Sequence, residues 1–407
     1  MATTTARPVP GSMFGVPGIT RPLEAIENND GTVTTLSQTN LTPVTGLIPF
    51  KQTDVIQGWL LRNVITNTVT PGSQTATPSP YFPDNFLGNI QLNFQNQFNT
   101  IQLESGIDLS IFNGYRPFRT TNYQNVNYQS PATSGYSAES NLLTSNSYTY
   151  SSGTINRVYW LPAGLQFDEF WNLAPDGTPM GAPIPMFVSP QFMAGTARIV
   201  QPSITFNSAF GSTCDVSPYT ISGATTTPAT FSGSNTMYVK RIGYYQPVDK
   251  NGTDSPPVAN WQYTLKTQRQ SLSGVSSVNL NVPLNGQVLS VYVRLFDPAA
   301  ASNVGAPIST ANVTNCNVVY GSNLYRYQDR PAEMQERFVA QHGYLPGQGI
   351  FIWDMAQGEH GRISNRYALN TMNTSGIQIQ LTFTGTQSSS AYAVIGTEAL
   401  TYVAVGN

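Results

Sequence analysis

The sequence is short of charge, cysteine and histidine. Only 10% of its 407 residues are charged and the formal net charge is −2, whereas about a quarter of residues are charged in typical soluble domains. The two cysteines, Cys214 and Cys316, are too few and too far apart to predict a disulfide framework. The two histidines, His342 and His360, have no partner at zinc-ligand spacing, so no metal or other cofactor is expected.

The motifs of common enzyme classes are missing as well. The chain has no GxSxG, no GxxxxGK[ST] and no GxGxxG, which argues against α/β hydrolases, P-loop enzymes and dinucleotide binders. Asp168 and Glu169 are adjacent, so in extended structure they point to opposite faces and cannot act together on one bond. We therefore predict no catalytic and no cofactor-binding residue, and expect that the protein is not an enzyme.

Basic stripes and long apolar runs are also lacking. Lysines and arginines are scattered, with Lys240-Arg241 as the one adjacent pair, so no direct nucleic-acid binding is expected. No stretch approaches the 18 apolar residues of a membrane-spanning helix. The stretch Met1–Pro10 lacks the basic start and apolar run of a secretory signal, so we expect synthesis in the cytoplasm.

Apolar and aromatic residues are present in globular amounts, at 40% and 11%. The polar positions hold mostly Asn, Gln, Ser and Thr, which predicts a polar but nearly neutral surface. Such a surface has little electrostatic protection against association and suits a protein that packs against copies of itself.

Short β-branched and aromatic runs, separated by Pro, Gly and Asn, predict an almost wholly β protein. Ile90, Leu92 and Phe94 alternate with Asn and Gln, as in a strand with one buried face. The predicted strands are Val55–Asn67, Leu87–Gln95, Ile107–Phe112, Thr154–Leu161, Ala197–Phe206, Met237–Tyr245, Trp261–Thr267, Val275–Val282, Val288–Phe296, Asn317–Arg326, Gly349–Asp354, Gly376–Thr384 and Ala391–Val405.

Other segments predict an arm, two loops and a domain break. Residues 1–45 contain prolines and glycines without an apolar period, which predicts an extended N-terminal arm. Residues 120–153 are rich in Tyr, Asn and Ser and predict a long loop insertion; Ile221–Asn235 predicts a plainer loop. The polar stretch Val248–Val258 predicts a break between a first domain, 46–250, and a second, 258–407.

One short region departs from the low-charge background. A helix is predicted from Arg330 to Gln341, with Met334 and Phe338 on one face. Two interpretations of its charges stay open: a solvated helix face with i,i+4 pairs such as Glu333 with Arg337, or a subunit contact in which ion pairs fix the register. The candidate subunit-contact residues are Arg326, Asp329, Arg330, Glu333, Glu336 and Arg337.

Several strings resemble the double-jelly-roll major capsid proteins of tailless icosahedral viruses, many of which infect bacteria and enclose a membrane. In the first half they are Arg157–Pro162 and the bend at Pro183–Phe187. In the second half they are Gln287–Asp297, Gly349–Asp354, Ser364–Asn370 and Ile377–Phe383.

The resemblance implies two tandem eight-stranded jelly rolls and a structural role in the virion shell. It also implies a homotrimer whose six rolls form a pseudo-hexagonal tile. The partners it implies are the neighbouring capsomers, penton or minor capsid proteins, and an internal membrane reached by the N-terminal arm. A viral spike or a lectin-like receptor- or carbohydrate-binding β protein would share the Tyr/Asn-rich loop and low charge, and is one alternative. A β-sandwich glycosidase, with two carboxylates that converge from separate strands, is a second alternative.

Overall fold

The computed structural model of the chain describes the residues in these ranges: 25–34, 36–37, 40–41, 44–45, 55–70, 72–94, 98–115, 127–129, 152–162, 165–166, 187–188, 200–207, 210–211, 213–223, 226–244, 261–282, 286–321, 324–342, 345–356, 368–371 and 376–402. Over these residues the chain is almost wholly β, as the sequence predicts. The proposed break at 248–258, His360, Asp168 and Glu169 lie outside the described residues.

The first half of the chain contributes eight strands that define its two sheets. They are β1 (Ala25–Thr34), β2 (Val44–Thr45), β3 (Val55–Thr70), β4 (Leu87–Phe94), β5 (Phe98–Leu103), β6 (Ser152–Pro162), β7 (Val200–Phe206) and β8 (Thr230–Tyr244).

The second half contributes eight more strands. They are β9 (Trp261–Ser271), β10 (Ser277–Val282), β11 (Gln287–Asp297), β12 (Val313–Tyr320), β13 (Leu324–Asp329), β14 (Ile350–Asp354), β15 (Ile377–Phe383) and β16 (Tyr392–Tyr402).

Two helices and several short elements complete the described fold. Helix α1 (Gly106–Tyr115) follows β5, and helix α2 (Pro331–His342) follows β13. The remaining elements are a helical turn at Ala300–Asn303, 3-10 turns at Asp84–Phe86 and Thr310–Asn312, and short strands at Leu36–Ser37, Asn40–Leu41, Thr75–Pro78, Asn127–Gln129, Leu165–Gln166, Phe187–Val188, Phe210–Gly211, Tyr219–Ser222, Ala306–Pro307 and Leu369–Asn370.

Both halves have the same strand order, which is that of a jelly roll. In the first roll, one sheet runs β1-β8-β3-β6 and the other β2-β7-β4-β5; in the second, one runs β9-β16-β11-β14 and the other β10-β15-β12-β13. A helix follows the fifth strand of each roll. The eight main strands of each roll pair in antiparallel fashion, so the similar order of elements predicted for the two halves is present as a repeated topology.

The two rolls share one continuous sheet. Strand β5 of the first roll pairs in parallel with β9 of the second, with Ile101 opposite Leu265. This pairing joins two of the four sheets into a 10-stranded sheet. Because backbone hydrogen bonds cross the junction, the rolls are linked by more than side-chain packing.

Strand β15 shows the alternation expected of a strand with one buried face. In β15, Ile377, Ile379, Leu381 and Phe383 are buried and the residues between them are half-buried. Burying each such side chain stabilises the fold by about 1.5–3 kcal/mol. Together with the other inward rows they form one apolar core within the second roll and a second core that extends across both rolls.

The predicted strand Ile107–Phe112 is wrong, because these residues form α1. Ile107, Leu109 and Ile111 alternate with Asp108 and Ser110, which imitates a strand with one polar face. All five side chains are instead buried, and the polar ones have buried partners. Tertiary contacts override the local alternation.

The bounds of one predicted strand and one predicted loop also need correction. The predicted strand Asn317–Arg326 is a hairpin of β12 and β13, with Gly321 in the left-handed conformation (φ 67°) at the turn. The predicted loop Ile221–Asn235 begins within the strand Tyr219–Ser222 and ends within β8. Its Gly, Ser and Thr residues are typical of loops, but the last of them belong to β8 and pair with the long β3.

Part of the predicted arm belongs to the sheets. Strand β1 pairs with β8 along Ala25–Thr34, and β2 pairs with β7. Both are outermost strands of their sheets, where a polar sequence such as that of β1 is tolerated. Residues 1–24 lie outside the described residues, as does most of the insertion 120–153, of which Asn127–Gln129 pairs with β6.

Candidate subunit-contact surface and the seam between the rolls

Helix α2 is anchored on one side and exposed on the other. Pro331 occupies the first helical position, where its missing N–H costs nothing. The Glu333 carboxylate accepts a hydrogen bond from the Arg330 backbone N–H at 2.7 Å, which caps the helix start. Met334 and Phe338 are buried, as the sequence predicts, and hold the helix against β14 and β12.

The six predicted contact residues divide into two groups. Arg337 binds Asp329 through two hydrogen bonds of 2.5 and 3.0 Å, and its guanidinium lies 4.1 Å from the centre of the Tyr327 ring. This pair, in place of the predicted Glu333–Arg337 pair, fixes α2 to β13. The other four side chains, Arg326, Arg330, Glu333 and Glu336, are exposed.

Two apolar side chains close to these charges in the sequence are exposed as well. Val339 on α2 is 36% exposed, and Leu345, three residues beyond the helix, is 56% exposed. We define the α2 surface as Arg326, Arg330, Glu333, Glu336, Val339 and Leu345. Apolar residues bordered by charges of both signs are typical of protein contact sites.

His342 is not the surface histidine that its neighbouring glycine suggests. Its side chain is 6% exposed and lies at the end of α2, with Nε2 3.3 Å from Oδ2 of Asp354. Its ring packs at a tilt against Phe338 and meets Tyr115 of α1 edge-on. His342 therefore connects α2 to a helix of the first roll.

The seam between the rolls is built on β11. Val291, Val293 and Leu295 face the core of the second roll, whereas Tyr292 and Arg294 on the opposite face point toward the first roll. Both faces of β11 are buried, which explains why its sequence is a nearly continuous run of apolar residues.

Helix α1 supplies the first-roll side of the seam. Ser105 donates a hydrogen bond to Asp108 at its first turn, and Asp108 lies 3.3 Å from the Arg294 guanidinium. Two residues farther along α1, Ser110 accepts a hydrogen bond from Arg157, whose guanidinium also binds Asp84 at 2.8 and 3.0 Å. These arginines and carboxylates are almost fully buried, so each charge is compensated by its partner.

A second chain of hydrogen bonds crosses the seam. Ser290 donates to the buried carboxyl group of Glu398 at 2.6 Å, so the Tyr115 hydroxyl, 3.0 Å away, is the donor to Ser290. Tyr263 donates to the other oxygen of Glu398. The first roll's Cys214 donates its thiol to the Gly305 carbonyl at 3.1 Å.

Burial controls the acid–base state of the seam. It raises the pKa of Tyr159 and Tyr292 well above the usual value, and the negative charges of Asp84 and Asp108 add to the rise. Burial also raises the pKa of Cys214 to about 12. The tyrosine and thiol groups of the seam therefore stay neutral beside its buried ion pairs, an arrangement that suits fixed packing.

Comparison with solved structures decides the fold. The STIV major capsid protein aligns with a TM-score of 0.57 and 16% identity over 93% of this chain and 97% of that chain. The chain has a double-jelly-roll fold. The Sulfolobus Turreted Icosahedral Virus structure aligns with a TM-score of 0.56 and 13% identity over 93% of this chain and 91% of that chain. PBCV-1 VP54, fitted into a reconstruction of the virophage Sputnik, aligns with a TM-score of 0.51 and 11% identity over 93% of this chain and 94% of that chain.

Sequence comparison alone does not identify this fold, because no family model and no curated protein matches the chain. Within the described part of the double jelly roll, no three His, Cys, Asp or Glu side chains are grouped to hold a metal ion. No helix of those residues is long and apolar enough to cross a bilayer.

Proposed function

We propose that this chain is the major capsid protein of an icosahedral virus and acts in the virion shell after synthesis in the host cytoplasm. The observation that carries the proposal is the pair of complete jelly rolls joined through one sheet, a design shared over 93% of the chain with the STIV major capsid protein. We propose a structural role without catalysis, because the ion pairs Asp84–Arg157 and Asp108–Arg294 are buried within the fold.

In this proposal the chain forms a homotrimer. Three copies of a two-roll chain present six similar rolls, which can form a pseudo-hexagonal tile although the rolls differ in sequence. The low charge of the chain supports close packing of copies, since few charged groups would be desolvated at the contacts.

The α2 surface is the proposed contact between copies. It combines exposed Val339 and Leu345 with Arg330 and Glu336. A partner copy would bury the two apolar side chains, and ion pairs with the two charged ones would fix how the copies align. Asp329 and Arg337, predicted as contact residues, serve this surface by holding α2 in place.

The domain division and the remaining partners are part of the same proposal. The rolls separate within 248–258, and the insertion 120–153 elaborates the outer side of the first roll. Residues 1–24 act as the arm that reaches neighbouring capsomers, penton or minor capsid proteins, or an internal membrane. Deleting residues 2–24 should leave soluble oligomers that fail to close shells; normal particles from the truncated chain would contradict this role.

Electron microscopy of the purified full-length protein tests the proposed tile. The expected image is a uniform population of particles with a hexagonal outline, seen down a threefold axis. A spike or lectin-like protein would instead give elongated or monomeric particles, and would be retained on a glycan panel that the capsid protein does not bind.

A further inference from the structure

Four buried polar atoms lie along the seam without a hydrogen-bond partner among the described residues. They are Arg294 Nη1, the hydroxyl groups of Tyr81 and Tyr292, and Asp215 Oδ1. Each of these side chains is more than nine-tenths buried. Buried polar atoms are nearly always satisfied by protein or by ordered water.

These groups lie around Arg294. The guanidinium of Arg294 lies 5.7 Å from the centre of the Tyr81 ring, and Tyr292 lies two residues away on the same face of β11. Asp215 binds the hydroxyl of Tyr392 through its other oxygen. The Tyr392 and Tyr81 rings both pack on Phe296, at 5.6 and 6.0 Å between ring centres, so Asp215 belongs to the same cluster.

The mixture of donors and acceptors selects the ligand. Arg294 Nη1 can only donate, Asp215 Oδ1 accepts, and the two tyrosine hydroxyls do both. Asp108 already compensates Arg294, so Asp215 leaves the cluster with an excess of negative charge that disfavours an anion. A cation would face the Arg294 guanidinium. Water can accept from arginine, donate to a carboxylate and bind a hydroxyl in either sense.

We propose that the seam holds an internal water site, centred on Arg294 and bounded by Tyr81, Tyr292 and Asp215, that completes the contact between the two rolls. Tyr81 and Asp215 come from the first roll, and Arg294 and Tyr292 from the second. One or more bound waters therefore transmit hydrogen bonds between the rolls around Arg294.

Two phenylalanine variants of the full-length chain test the site. If the hydroxyls bind water, Tyr81→Phe and Tyr292→Phe should each raise the unfolding equilibrium constant about fivefold in chemical denaturation, the usual worth of one hydrogen bond. The Tyr292→Phe result is decisive, because the Tyr81 hydroxyl also interacts directly with Arg294. If the hydroxyls are simply unsatisfied, removing them should leave stability unchanged or raise it, which would overturn the proposal.

Two further variants calibrate the assay. Tyr159→Phe removes a direct 2.8 Å hydrogen bond to Asp84 and should destabilise the protein in either case. Tyr238→Phe changes a 44% exposed ring and should have no effect.

A high-resolution crystal structure of the unmodified protein gives an independent answer if a variant fails to fold. Ordered water within hydrogen-bond distance of at least two of the four atoms is expected. A seam closed by direct contacts, with no water density there, would contradict the proposal.

Discussion

Asp84 and Arg157 illustrate how single residues stabilise this fold. The carboxylate of Asp84 receives two hydrogen bonds from Arg157 and one from Tyr159, and both charged side chains are almost fully buried. Asp84→Asn should reduce the free energy of unfolding by about 3–5 kcal/mol, because it leaves the Arg157 charge buried and uncompensated. Chemical denaturation of the purified variant measures the loss.

The matched control is Glu104→Gln, which breaks the half-exposed pair with Arg269. It should cost only about 0–1 kcal/mol, because solvent screens that pair. Equal losses in the two variants would show that burial does not control the strength of these interactions.

The two free cysteines give a prediction that depends on pH. Burial raises the pKa of Cys214 and of Cys316 to about 12. The folded state therefore keeps both thiols protonated, and this contribution to stability is complete below the unfolded pKa near 9 and is lost as pH rises toward 12. At pH 8 a thiol reagent should label neither cysteine in the native protein and both after unfolding; rapid native labelling would contradict their burial.

The charged residues on and beside α2 could be recognised from the sequence, whereas those of the seam could not. Arg326, Arg330, Glu333 and Glu336 were recognisable because charges are clustered there. Asp108, Arg294 and Glu398 were not, although Arg294 carried a signal: a lone arginine inside the apolar run of β11 requires a buried partner. Which residue is that partner depends on contacts 186 residues apart along the chain, which local patterns cannot show.

Among the elements, α1 was predicted as a strand although the all-β fold class was correct. Its alternating apolar residues imitate a strand, and the capping pattern Ser105-x-x-Asp108 was the one local sign of a helix start. Gly106 begins the helix where a Cβ atom would lie 2.3 Å from the Asp84 carbonyl oxygen and 2.6 Å from Leu87 Cβ.

Gly106→Ala should therefore destabilise the protein by about 1–3 kcal/mol, through displacement of α1 from the Asp84 turn. Gly385→Ala is the control, because its Cβ would meet nothing within 4 Å, and it should change stability by less than about 0.5 kcal/mol. Thermal unfolding of both variants makes the comparison; a Gly106→Ala variant as stable as the control would mean that α1 is loosely held.

The α2 surface gives a second prediction at this scale. Glu336→Lys combined with Val339→Asp alters exposed side chains alone, so the free energy of unfolding should change by about 0.5 kcal/mol or less. Association should weaken at least tenfold if this surface joins copies. Sedimentation measures association of the double variant and of a control, Gln268→Lys, which changes an exposed residue of β9. Unchanged association of the double variant would exclude α2 from the contact.

Across the whole molecule, the repeated strand order and the shared sheet account for the function proposed for it. The almost wholly β content follows from alternation and turn residues and could be predicted from them, whereas the two tandem jelly rolls were predicted only through the resemblance to capsid proteins. The parallel junction of β5 with β9 and the inclusion of residues 25–34 in the first roll could not be predicted, because they depend on pairings between distant segments. The junction and the seam together hold the rolls as one unit before any assembly.

The mass of the purified full-length protein in solution tests the central claim most directly. A capsid tile built from two-roll chains predicts a species of three times the 44.2 kDa chain, stable on dilution to about micromolar concentration, as expected of an extensive interface. A well-folded monomer at that concentration, measured by light scattering or native mass spectrometry, would contradict the capsid assignment while leaving the double-jelly-roll fold intact.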